Sequence, residues 1–296
     1  MSDWVLIGVP TSAGAHHAGQ DLAPAALRAA GLLDRLQARG VPVSDAGDLP
    51  GSVFAVDAGH PRYRNVGAVV SVARRVADFV ASQPEQGPRL LVVGGDCTIT
   101  LGVVAGMRRR HPGVGLAYVD GDADLSAGRP DDSGILDSTG IAHLVGLATS
   151  ELATFGGPAP LLAPSRLALV GCDPREVGEP EREYIAGHAI SYAEAAELSA
   201  DPEGVARRAL AHLRPGPAAP VIVHFDVDMI DSGYLPLGNY PHYGTGVRLA
   251  DAVRCLRILT AHAACTALVL TEVNPTHDPG GELLAEYADA IANVLS

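Results

Sequence analysis

Lysine is missing from this chain: all 21 basic residues among its 296 are arginine. There is therefore no amine for a lysine Schiff base and no lysine for a phosphate-binding loop. Positive charge is short as a whole. The 34 acidic side chains leave a formal net charge of -13, which argues against nucleic acid or membrane partners, because both need a basic face. Cysteine is scarce and scattered. Cys97, Cys172, Cys255 and Cys265 form no CxxC pair, so they fit reduced thiols in a cytoplasmic protein better than a disulfide framework. No apolar run approaches the roughly 18 residues of a membrane span, and the first residues lack the features of a signal peptide.

What the chain does have is apolar bulk. Apolar residues make up 47% of it, enough for an extensive core in one α/β domain spanning residues 1–296. Trp4 to Val9 reads as a first strand. From Asp21 to Arg39 the residues Ala26, Leu27, Ala30, Leu33 and Leu36 recur at helical spacing, with Pro24 suited to a first turn. Val41 to Val43 suits a short edge strand. Helices are expected from Val66 to Val80, Thr98 to Arg110 and Glu282 to Leu295, and strands near Leu167 to Val170, Val221 to Phe225 and Ala267 to Leu270. The alternation predicts a three-layer αβα fold, a mostly parallel sheet with helices on both faces.

The chemistry gathers where strands end. Leu116-Ala-Tyr-Val runs into Asp120-Gly-Asp-Ala-Asp124, which puts Asp120, Asp122 and Asp124 at and just past a carboxyl end, where open α/β sheets hold ligands. Val221-Ile-Val-His-Phe runs into Asp226-Val-Asp228, and alternation points both carboxylates to one face. Leu90-Leu-Val-Val runs into Gly94-Gly-Asp-Cys97. Carboxylates this close repel, and each would hold a proton unless a cation sat among them. One such pair is ordinary where a strand turns into a loop. Three strand ends together favour a binuclear metal centre.

In order and spacing these motifs resemble the ureohydrolase family, the arginases, agmatinases and related amidinohydrolases. The resemblance covers most of the chain, from Gly8-Val-Pro through Ala23-Pro-Ala-Ala-Leu-Arg-Ala-Ala-Gly-Leu-Leu and the three strand ends to Glu272-Val-Asn-Pro. It implies an arginase-like fold and two metal ions, usually manganese, that hold a hydroxide for attack on a guanidinium carbon. Carried over position by position, Asp120, Asp124 and Asp226 are carboxylate ligands, Asp120 and Asp226 reaching both metals, and Asp228 holds the second metal. His143, in Thr139-Gly-Ile-Ala-His, resembles the pocket histidine that shuttles a proton to the leaving amine. Glu272 resembles the carboxylate that grips the guanidinium, or else it ends a strand before the Asn274-Pro275 turn. Glu176 and Glu179 fall where arginases place acids near the substrate α-amino group, and Ser126 and Thr139 fall where they contact the α-carboxylate. Assembly as a homo-oligomer, a trimer or hexamer, is implied as well.

Both histidine ligands of the family pattern are replaced. Gly-Gly-Asp-His becomes Gly94-Gly-Asp-Cys97, and Asp-Ala-His-x-Asp becomes Asp120-Gly-Asp122-Ala-Asp124. Cys97 is either a soft ligand as thiolate, drawing zinc or iron, or a small buried apolar residue. Asp122 leaves the second site entirely carboxylate, which suits manganese or magnesium. Two loops, Ser126 to Ser138 and Gly233 to Gly246 with Tyr234, Tyr240, His242 and Tyr243, follow acidic strand ends and either line the pocket or cover the surface.

The resemblance implies a metal-dependent amidinohydrolase that cleaves a guanidino C-N bond of arginine or of a modified guanidine, such as N-hydroxyarginine or a secondary-metabolite intermediate. The products are an amine and urea or a urea analogue. The main rival is a metal-poor, noncatalytic homologue acting as an oligomer subunit or binding protein, which the two replaced histidines favour. A deacetylase of the same fold ranks third, since its zinc keeps a histidine and it has no use for Glu272.

Overall fold

The computed structural model describes residues 3–127, 133–213 and 219–296. Eight strands, β1 (Trp4–Val9), β2 (Val43–Asp48), β3 (Arg89–Gly94), β4 (Gly115–Val119), β5 (Leu167–Cys172), β6 (Ser191–Glu194), β7 (Val221–Asp226) and β8 (Cys265–Thr271), form one sheet. Its order is β2-β1-β3-β8-β7-β4-β5-β6, and every neighbouring pair is parallel. The inner strands are unbroken apolar runs because both of their faces are covered. Alternate residues of one strand feed opposite cores: Leu91, Val93, Val223 and Phe225 face one way, Leu90, Val92, Ile222 and Tyr118 the other.

Helices α1 (Ala23–Ala29), α2 (Leu32–Ala38), α7 (Ala195–Ala200), α8 (Pro202–Leu213), α9 (Leu249–Ala261) and α10 (Glu282–Leu295) cover the first face. The second is covered by α3 (Val66–Ser82), α4 (Ile99–Arg108), α5 (Gly140–Leu144) and α6 (Glu179–Gly187). The result is the expected three-layer fold. No helix among the described residues is long and apolar enough to cross a membrane.

Three elements differ from expectation. The helix expected over Asp21 to Arg39 is two helices, divided at Gly31, whose φ of 80° lies in the left-handed region that only glycine adopts cheaply. The edge strand begins at Val43 rather than Val41 and runs on through polar residues to Asp48, exposed along most of its length. The opposite edge, β6, has no apolar run to announce it. Between these edges the four central strands, β3, β8, β7 and β4, present their carboxyl ends side by side.

Candidate active site

Each central strand ends in an ionisable side chain. β3 leads to Cys97, β8 to Glu272, β7 to Asp226 and Asp228, and β4 to Asp120, Asp122 and Asp124, and all seven line one cavity of about 220 Å³. Ser126 and Glu176 line it too, with Tyr240 donating its hydroxyl to Glu176 Oε2 at 3.1 Å. The register explains the crowding: Tyr118 of β4 pairs with His224 of β7, so the Asp residues two positions further on emerge together.

Other expected residues are placed elsewhere. His143, on α5, is fully buried, with Nδ1 against the Thr139 carbonyl at 2.9 Å and Nε2 against Ser150 Oγ at 2.7 Å, and it is not among the residues lining the cavity. Burial pushes its pKa down to about 4, holding it neutral. Thr139 turns away and donates to the Leu136 carbonyl at 2.6 Å, because a 3-10 turn over Asp137–Thr139 directs Asp137 and Ser138 to the cavity instead. Glu179 opens α6 in solvent, 3.9 Å from Arg182. Residues 128–132 of the loop after β4, among them Arg129, Pro130, Asp131 and Asp132, lie outside the described residues.

A first group of donors forms around Cys97. Its thiol donates to Asp226 Oδ2 at 2.6 Å, and its Sγ lies 3.6 Å from Nε2 of His224. His224 is fully buried, stacked on the Tyr118 ring at 3.9 Å, with Nδ1 2.7 Å from Thr100 Oγ1. Its Nε2 lies 3.5 Å from Asp120 Oδ2. Cys97, Asp120, His224 and Asp226 thus offer one soft, one imidazole and two carboxylate donors within 4.8 Å of one another, a set suited to a transition metal. Burial, reinforced by the surrounding carboxylates, pushes the Cys97 thiol well above its ordinary pKa. Among the described residues Asp124 belongs to no such group. It lines the cavity, and its carboxyl takes a hydrogen bond from Tyr118.

A second group joins Asp122, Asp228 and His242. Beside the carboxylates expected for a second site, the loop after β7 folds back and sets His242 Nε2 3.4 Å from Asp122 Oδ2. Burial alone would lower the imidazole, but the Asp122 carboxylate outweighs it and raises the His242 pKa to about 9. Burial pushes Asp122 up to about 6 and Asp226 up to about 7, and takes Asp124 and Asp228 well above the carboxylate range.

The remaining wall is acidic. Glu272 accepts from Gln20 Nε2 at 2.8 Å and from the Cys97 backbone N-H at 3.1 Å, while Asp137 accepts from the same N-H at 2.8 Å. Both carboxyls are buried, and burial pushes both well above the ordinary range, reinforced by the charge of Asp96 at Asp137 and of Asp137 at Glu272. Two acids side by side on a cavity wall suit a planar, delocalised cation. Asp137, His224 and Gln20 were not singled out from sequence as site residues, and His242 was named only as part of a loop that either lines the pocket or covers the surface. His224 alone carried a usable signal, lying two residues before Asp226 and so on the same strand face.

A family model described as the arginase family matches residues 2–295. The chain belongs to the arginase family. That membership makes it a hydrolase of the ureohydrolase type, acting on amidino groups. Over 278 residues it is 28% identical to an arginase of Bacillus caldovelox, covering 92% of this chain and 91% of that one. The crystal structure of an arginase from Bacillus subtilis superposes with a TM-score of 0.86 at 24% identity, covering 99% of this chain and 98% of the other. A proclavaminate amidino hydrolase from Streptomyces clavuligerus shares the fold with a TM-score of 0.74 at 19% identity, over 100% of this chain and 90% of its own.

Proposed function

We propose that this arginase-family enzyme is a metal-dependent amidinohydrolase that cleaves a guanidino C-N bond of arginine or a modified guanidine such as N-hydroxyarginine, releasing an amine and urea or a urea analogue. The reading is carried by the six candidate ligand side chains that the ends of β3, β7 and β4 bring to one cavity beside Glu272, which follows β8. The donor set fits divalent cations, and manganese is the first choice for a site so rich in carboxylates. Cys97, Asp120, His224 and Asp226 would hold one ion, with Asp124, which lines the same cavity, as the further carboxylate that the family resemblance gives it, and Asp122 and Asp228 would hold the other. What the cations supply when bound is neutralisation of the crowded carboxylates and activation of water as a nucleophile.

The protein's own groups do the rest. Glu272 and Asp137 orient the guanidinium through hydrogen bonds to its N-H groups, which fixes the carbon for attack. Glu176, which lines the same cavity and accepts from Tyr240, receives an α-ammonium, so an amino-acid-like guanidine is favoured over a plain amine. The four buried, unpaired cysteines fit a reducing compartment, and we assign the protein to the cytoplasm.

The test is elemental analysis of protein purified without chelator, joined to a urea-release assay on arginine and N-hydroxyarginine. Stoichiometric metal with turnover of either compound is expected, and Asp226→Ala and Asp124→Ala, with unchanged circular dichroism, should each lose more than about a hundredfold in rate. Protein without metal and without turnover after manganese addition would return the noncatalytic reading.

A further inference from the structure

We propose that His242 is the imidazole ligand of the second ion, completing a site with Asp122 and Asp228, and that Gly121 is the residue that admits it. The proposal rests on the metal-dependent reading above and names how this chain replaces a ligand that its strand end no longer provides. His242 comes from the loop after β7 and is 1% exposed. Its Nε2 is buried and makes no hydrogen bond among the described residues, although Asp122 Oδ2 is 3.4 Å away. Asp228 Oδ1 is likewise buried without a partner. Buried polar atoms without partners are rare, and these two belong to one cluster of three donors.

The spacing suits an ion better than a hydrogen bond. Around a cation with bonds of about 2.1 Å, tetrahedral ligand atoms sit about 3.4 Å apart, the separation of Nε2 from Asp122 Oδ2, where the orientation makes no hydrogen bond, whereas Nδ1 at the same distance from Asp173 Oδ2 does make one. The far side of the ring is arranged in the same sense. Nδ1 lies 3.4 Å from Asp173 Oδ2, and Asp173 is itself held by Arg175 at 2.8 Å and by the Thr245 hydroxyl. A carboxylate behind an imidazole fixes the tautomer that leaves Nε2 free to ligate.

Gly121 supplies an independent argument. A Cβ at this position would fall 2.6 Å from His242 Nε2 and 2.9 Å from Cδ2. Its φ lies outside the left-handed region, so alanine would fit the backbone and is barred only by the ring. Asp120-Gly121-Asp122 is therefore a paired change: the glycine opens the space that the imidazole occupies. One imidazole with two carboxylates selects a divalent transition cation over calcium or magnesium.

The full-length protein, stripped by chelator, is titrated with Mn2+ alone and with Zn2+ alone, following stoichiometry and affinity by calorimetry and Mn-Mn coupling by electron paramagnetic resonance. Wild type should bind two ions with a spin-coupled manganese signal. His242→Asn should keep one ion, lose the coupling, and weaken the second ion by more than about a hundredfold, whereas Asp173→Asn should weaken it by about tenfold. Gly121→Ala, which leaves every ligand in place but displaces the ring, should reproduce the His242→Asn result, and metal-free melting curves check that each variant folds. Two ions bound with unchanged affinity by both His242→Asn and Gly121→Ala would overturn the ligand while leaving the amidinohydrolase reading intact. One ion only in wild type, unaffected by either change, would mean that a His242-Asp122 ion pair fills the second position. No bound ion at all would overturn both the ligand and the metal-dependent reading.

Discussion

Asp124 and Glu272 share an uncommon backbone state, with φ of 48° and 63°. Non-glycine residues in the left-handed region cost on the order of 1–3 kcal/mol and persist where surrounding structure imposes them. Both carboxyls face the cavity, so the strain accompanies placement at the proposed site. Glu272→Gln removes the charge and one of two acceptors: its amide oxygen still accepts from Gln20, while the Cys97 N-H keeps Asp137. Removing one partner of a buried charged pair costs 2–5 kcal/mol, so kcat/KM for the guanidino substrate should fall by about a hundredfold, chiefly through KM, with metal content unchanged. Steady-state kinetics with metal analysis check this, and an unaltered KM would reject Glu272 as the guanidinium contact.

The elements show which patterns a sequence exposes. Strands β3, β4, β5, β7 and β8 were legible because burial on both faces turns them into uninterrupted apolar runs. Edges hide, and so β6 went unseen and β2 was placed too early, since strands with so little cover admit Ser, Asp and Glu throughout. The strand-end aspartates were legible by alternation. His242, Asp137 and Gln20 were not, because they arrive on loops or a short turn whose path no periodicity encodes. Gly31 is the breaker between α1 and α2, hidden in an otherwise helical apolar pattern. At its φ of 80° a Cβ would meet only Arg35 Nε, at 4.0 Å, so Gly31→Ala tests conformation without a clash. It should cost about 1 kcal/mol, seen as a melting point lower by about 2–4 °C, with catalytic constants unchanged. A melting point equal to or above wild type would show that the two helices do not depend on this bend.

At the scale of the molecule, stability and charge are linked. Burial raises Asp122 to about 6 and Asp226 to about 7 in the folded protein, above the unfolded value of about 4. Groups shifted this way stabilise the fold fully below the unfolded pKa, and that contribution is lost as pH rises through the folded values. Metal-free protein should therefore melt at progressively lower temperature from pH 5 to pH 8. Divalent cations bind the ionised folded state, so manganese at a hundred times Kd should restore about 2.7 kcal/mol and flatten the decline. Melting curves in chelator and in manganese across this range decide it, and a metal-free curve that rises with pH would contradict the crowding of these carboxyls.

Four parallel strands ending side by side also place more backbone positions around one point than a cation has bonds to make. Cys97 follows β3, Asp120 follows β4, His224 and Asp226 lie on β7, and His242 comes from a loop beyond them. In such a geometry a donor lost at one position is replaced from another without moving the sheet. The location of the ion is thus inherited from the architecture, while the hardness of its surroundings, and with it the choice of metal, is free to drift.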